Sequence, residues 1–262
     1  MAGYMYLGIQ KVRPAISLGG NKLNVGFTVD QDGKITREYV NLKMSGFKSV
    51  GSHVFEGYCS YMDFLSVDLS CIEVIDEDYA CRDMFRYASL TSLDLSNLKS
   101  ISGEHSCDGM FSQFDDLISV DLSSLETING NYACAGMFTN FRNKSLISVD
   151  LSSLKTINGT EACWDMFFGD NVLTSVDLSN LESISGSKAC GGMFAGSGIK
   201  SLSLPSLKTI LNTDSLVDFI GGCTDVTIHF PSNMQSIIQG LSGYPNFGGT
   251  NTTLLFDLPS TE

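Results

Sequence analysis

A single tryptophan, three histidines and five prolines are all that this 262-residue chain holds of those types. Charged residues are also scarce at 17%, against 43% apolar, a balance that excludes wholesale disorder. No apolar run reaches the roughly eighteen residues of a membrane-spanning helix, so no membrane insertion is expected. The N-terminus MAGYMYLGIQKVRPAISLGG lacks a basic segment ahead of an apolar one. Either the chain is not secreted in the usual way, or its export signal lies outside this sequence. There is no P-loop, no G-x-G-x-x-G after a strand and no H-E-x-x-H. None of the eight cysteines lies in a C-x-x-C pair, which removes the usual zinc spacing. No cofactor and no metal is expected, and an enzyme is not.

Positive charge is the other shortage. Sixteen Lys and Arg face twenty-nine Asp and Glu, for a formal net charge of −13. Residues 1–50 carry a balance of +4 and residues 51–262 a balance of −17. A body this acidic repels phosphate backbones, so no nucleic-acid partner is expected. A basic protein partner is the complementary expectation.

What the chain does have is a repeat. FLSVDLS, LTSLDLS, LISVDLS, LISVDLS and LTSVDLS begin at Phe64, Leu90, Leu117, Leu146 and Leu173. YVNLKMS at Tyr39 and IKSLSLP at Ile199 are weaker copies, and the successive intervals are 25, 26, 27, 29, 27 and 26 residues. Each full unit continues through an apolar ladder to a Cys and a Met-Phe pair, as in Ala189, Cys190, Met193 and Phe194. Alternation in LTSVDLS turns Val176 and Leu178 inward and Ser175, Asp177 and Ser179 outward, which predicts a short parallel strand. The three-to-four spacing of Ala189, Cys190, Met193 and Phe194 predicts a short helix or turn on the opposite side. One unit cannot bury its own apolar face, but stacked units can. The expected fold is an α/β right-handed leucine-rich-repeat solenoid, with a parallel sheet on one face and short helices or turns on the other. Residues 1–38 read as an N-terminal hairpin cap turning at Asp32-Gly33, and 39–224 as about seven coils. Residues 225–262 read as a degenerate coil and a C-terminal β cap whose last strand is Thr252–Leu258, stopped by Pro259.

The L-x-S-V-D-L-S run followed by A-C-x-x-M-F resembles the BspA-like leucine-rich repeats of bacterial surface proteins. FKSVGSHVFEGY is similar to a variant of that repeat, and GYPNFG to endings seen in such proteins. The likeness covers about Tyr39 to Ile220. It implies surface display and adhesion to proteins or cells. YLGIQKVRP is similar to short openings of phage-associated proteins, which would imply an assembly role instead.

Asp68, Asp94, Asp121, Asp150 and Asp177 recur at one strand position, and in register they form a carboxylate column with ~4.8 Å between neighbours. At a dielectric near 80 each adjacent pair costs roughly 0.9 kcal/mol, so the column favours cations or a basic partner. The bland reading has each carboxylate bonded to serine hydroxyls or turn amides, with Ser66, Ser92, Ser119, Ser148 and Ser175 flanking the column. Cys81, Cys107, Cys134, Cys163 and Cys190 share a core-facing position and read as buried free thiols, which suits a cytosolic or anaerobic setting. Cys59, Cys71 and Cys223 lie outside that ladder and are candidates for exposure or reactivity. The Met-Phe pairs read as core. Trp164, after Cys163, is a candidate outer-face aromatic, and Phe141 and Arg142, in the variable junction 139–145, are of types enriched at interface hot spots. His53, His105 and His229 fall in different coils at different positions, so no catalytic triad assembles.

Two readings follow from these residues. The first is a non-enzymatic binding or adhesion module, monomeric, acting through the acidic sheet face or the variable loops. The second is a structural or assembly component, phage-related or intracellular, acting through its ends.

Overall fold

The computed structural model describes residues 5–7, 10–12, 22–29, 35–46, 48–90, 92–114, 116–140 and 146–261, with side chains from residue 42 onward, Leu65 excepted. The chain winds as a parallel β-solenoid of about eight turns. On the first face, Lys22–Val29 pairs antiparallel with Ile35–Lys43. Asp63–Asp68, Leu93–Asp94, Ser119–Asp121, Ser148–Asp150 and Ser175–Asp177 then follow in parallel, one per coil. Ser201–Ser203, Thr227–Pro231 and Thr253–Leu258 continue the winding as a separate three-stranded parallel sheet. The last strand thus starts one residue later than expected from the sequence. Six two-residue strands, Val74–Ile75 through Thr209–Ile210, stack as a parallel second face.

The third face is where helices were expected, and turns stand there instead. Among the described residues the helical content is one 3-10 turn, Ser232–Met234, and the helix Gln235–Gln239. In the third coil, Cys107, Gly109 and Phe111 give their N–H groups to Ala133, Ala135 and Met137 of the next coil at 2.8, 2.8 and 2.9 Å. The alternating residues Asp108, Met110 and Ser112 bond three residues back within their own coil. Every fourth residue has left-handed backbone: His105 (φ 51°), Gly109 (60°) and Gln113 (57°). A helix cannot absorb a left-handed residue in each turn, and half the amides are committed to the neighbouring coil. The apolar spacing is that of a four-residue turn repeat, which a helix-period reading cannot distinguish from a helix.

The core runs the length of the winding. Phe85, Phe111, Phe138, Phe167 and Phe194 are fully buried and stack ring on ring at 5.2–5.6 Å, nearly parallel. Their Met neighbours and the five ladder cysteines are buried beside them, and all the cysteines are free. Burial raises the thiol of Cys190 to about 12 and those of Cys107, Cys134 and Cys163 far above the ordinary range. Cys59 and Cys223, candidates for exposure on sequence, are also buried; Cys71 is half-buried. At one corner, backbone packs on backbone. A Cβ on Gly130 would lie 2.3 Å from the carbonyl oxygen of Gly103, and Gly103, Gly159 and Gly186 are equally tight against the coil before them.

Candidate functional site

The outward positions of the first face form two columns. Strand register places Asp68 beside Asp94, Asp94 beside Asp121, Asp121 beside Asp150 and Asp150 beside Asp177. Lys43 precedes the column, beside Asp68. Ser203 and His229 stand in register with each other in the seventh and eighth coils, at the same place in the repeat, so the acidic run ends at Asp177. Ser119, Ser148 and Ser175 form the second column in the same registers, joined by Ser92 two residues ahead of Asp94. These side chains project from strands whose inward residues, Val67, Leu93, Val120 and Val149, are buried.

Each aspartate also closes a turn. Oδ1 of Asp68, Asp94, Asp121, Asp150 and Asp177 accepts the N–H of Ser70, Ser96, Ser123, Ser152 and Ser179 at 2.9–3.1 Å. The Ser70 and Ser96 hydroxyls donate to the same oxygens at 2.6 and 2.7 Å. The serines that hold the carboxylates are therefore the ones two residues downstream. The upstream Ser92, Ser119, Ser148 and Ser175 form the neighbouring column on the open face. Ser123, through hydroxyl and amide, holds the Asp121 carboxyl below its usual value. Burial works to raise Asp68, but the Lys43 ammonium and Ser70 outweigh it and its carboxyl is lowered.

The charges on the other faces are arranged differently. At the residue ahead of each second-face strand, sign alternates coil by coil: Lys48, Glu73, Lys99, Glu126, Lys155, Glu182, Lys208. Neighbours bond across coils, Lys99 to Glu73 and Lys155 to Glu126 both at 2.8 Å, and Lys208 to Glu182 at 3.8 Å. Lys48 and Lys99 together hold Glu73 down at about 2. On the third face Arg82 lies between Glu56 and Asp108 at 3.8 and 3.6 Å. This alternation was legible in the residue before each [ST]-Ile pair and was missed there.

A second ladder was also missed. His53, Tyr79, His105 and Tyr132 stack in four successive coils, with centroids 4.9, 5.2 and 4.6 Å apart and planes within 15°. His53 and His105 therefore occupy the same position in their coils, contrary to the sequence reading, each two residues before the core-facing Phe55 or Cys107. Their Nδ1 atoms meet Glu56 and Asp108 at 2.7 and 2.8 Å. His229 pairs with Asp257 at 2.9 Å, far along the winding.

The remaining candidates separate. Trp164 is half-buried and lies over Gly191 of the next coil, where a Cβ would meet its ring at 2.4 Å, with the Lys188 ammonium 5.5 Å above it. Its surroundings are those of a packing residue. Phe141 and Arg142 lie outside the described residues. Among the described residues no group of three or more His, Cys, Asp or Glu is disposed to hold a metal ion, and no helix is long and apolar enough to cross a membrane.

Fold and site together define a class: a parallel β-solenoid that presents a carboxylate column beside a hydroxyl column on one open face. No family model matches the chain, and comparison with curated proteins and with solved structures gave no match to either.

Proposed function

We propose that the chain is a non-enzymatic protein-binding module of the bacterial cell-surface adhesion type, engaging a basic partner through its acidic first face. The observation that carries this reading is the contrast between columns. In-register like charges repel, and the second and third faces relieve this by alternating sign. The first face stacks five carboxylates in register; Lys43 pairs with the first, Asp68, and among the described residues no ion pair relieves the other four. The turn bond that each makes does not require the charge, because an asparagine oxygen accepts the same N–H. The charge is thus surplus to the fold, and a basic ligand is what it suits. The resemblance of the repeats to BspA-like surface proteins supports the adhesion setting.

Substituting Asp94, Asp121, Asp150 and Asp177 by Asn keeps the turn acceptors and removes the charges. Binding to a panel of matrix and host proteins, followed in a salt series, is expected to weaken strongly and lose its salt dependence. The melting temperature is expected to hold or rise. Unchanged binding sinks the proposal.

The alternative, a structural component assembling through its ends, has one feature in its favour. The strand Thr253–Leu258 is paired on one side only among the described residues, and Leu255 on it is exposed. That reading expects self-association in sedimentation that survives the fourfold Asn substitution.

A further inference from the structure

The first face is not uniform along its length. Between Ser175–Asp177 and Ser201–Ser203 its backbone ladder lapses: these neighbouring strands belong to separate sheets and share no backbone hydrogen bond. The other two faces stay closed at the same junction. Ser183 and Ile184 pair with Thr209 and Ile210, and Gly192 and Phe194 donate to Val217 and Phe219 at 2.9 Å. A notch therefore opens on one side of an otherwise fastened winding. Its groove measures about 450 Å³ and is lined by Asp150, Val176, Asp177, Ser201 and Ser203, among others. Val176 is half-uncovered there, whereas Val67, Val120, Val149 and Leu202 in equivalent positions are buried. The sequence supplies a local reason. From the seventh coil Ser203 replaces the aspartate and Pro205 the following serine, so neither carboxylate nor N–H is present to close the turn.

Resting on the binding reading above, we infer that this notch is the anchoring point of the acidic face and takes an arginine side chain from an extended basic segment of a protein partner. Three kinds of surface converge there. Carboxylates of Asp150 and Asp177 stand on one side, hydroxyls of Ser201 and Ser203 on the other, and the apolar flank of Val176 lies between them. The lining contains no cation. An arginine fits all three, with its aliphatic stem on Val176 and its planar fork donating to carboxylate and hydroxyl oxygens. Where the sheet is hydrogen-bonded from coil to coil, a cation meets the exposed rim of the carboxylates.

The test is fluorescence anisotropy of a labelled alternating Ser-Arg peptide, with an alternating Ser-Gln peptide as control. Ser203→Lys sets an ammonium at the notch wall, and Ser92→Lys makes the same charge change three coils or more away on the same face. Both hydroxyls are exposed, and Ser201→Lys serves as a second notch variant should the first lower the melting temperature. Notch variants are expected to weaken the Ser-Arg peptide by about tenfold or more, and Ser92→Lys by no more than about threefold. Equal losses, or a wild type that binds the two peptides alike, overturn the notch. The fourfold Asn variant in the panel assay reports on the acidic face separately, so the wider reading stands or falls on its own result.

Discussion

Asp170 occupies a corner slot in which Ala88 stands in an earlier coil, each bonding three residues back to the stacked phenylalanine of its own coil. A carboxyl in an apolar slot is costly once it ionises. Asp170 is completely buried, and neither of its carboxyl oxygens finds a partner of good geometry among the described residues. Burial raises it to about 7, and the nearby Val172 and Leu173 amides offset only some of this. In the unfolded chain the same group ionises near the ordinary value of about 4. Between these limits the unfolded chain holds fewer protons, so stability falls as pH rises from about 4 to about 7 and stays low above. Asp170→Asn removes that proton. Denaturant melts are expected to show the variant equal to wild type near pH 4 and more stable near pH 8, by up to about 4 kcal/mol. A constant difference across that range refutes the assignment.

At the scale of the element, the corner glycines set how closely coils stack. Gly130 faces the carbonyl of Gly103 with no room for a methyl group, and backbone on both sides leaves nothing flexible to yield. Gly130→Ala is expected to destabilise by about 1–3 kcal/mol in thermal melts, by forcing two coils apart. The strands of the first face, their inward and outward residues and the carboxylate column were legible in the sequence, because period-two alternation and a near-constant repeat length fix register directly. The second face was not, because strands of two residues are too short to show alternation. Nor was the third. A turn chain with a left-handed residue at every fourth position buries Ala, Cys, Met and Phe at the same spacing as a helix. Only the amide partners, which lie in the next coil, tell the two apart. The notch was hidden for a related reason: IKSLSLP keeps the apolar pattern of its neighbours, and what lapses is backbone pairing between coils.

Taken whole, the molecule is a one-dimensional stack in which each coil rests on its two neighbours. Interior defects therefore interrupt two interfaces and terminal ones a single interface. Phe138 is stacked on both sides, by Phe111 and Phe167. Phe138→Ala is expected to cost about 3–5 kcal/mol, measured by chemical denaturation. Phe230, stacked on Phe256 in the last coils, should cost less when truncated, with the central coils keeping their amide protection in hydrogen exchange.

The amide bonds between coils on all three faces lie along the axis of the winding. Tension applied from end to end would therefore load three rows of bonds through the central coils, and neighbouring coils would come away from each other as whole units, interface by interface. At the junction between Asp177 and Ser201 only two rows share the load, as at the junction beyond Thr209–Ile210, where the second face ends. Among the central coils, a stretched molecule would yield first between Asp177 and Ser201. A ligand bridging that gap would act as a mechanical splice, making the tether stronger when it is occupied than when it is empty.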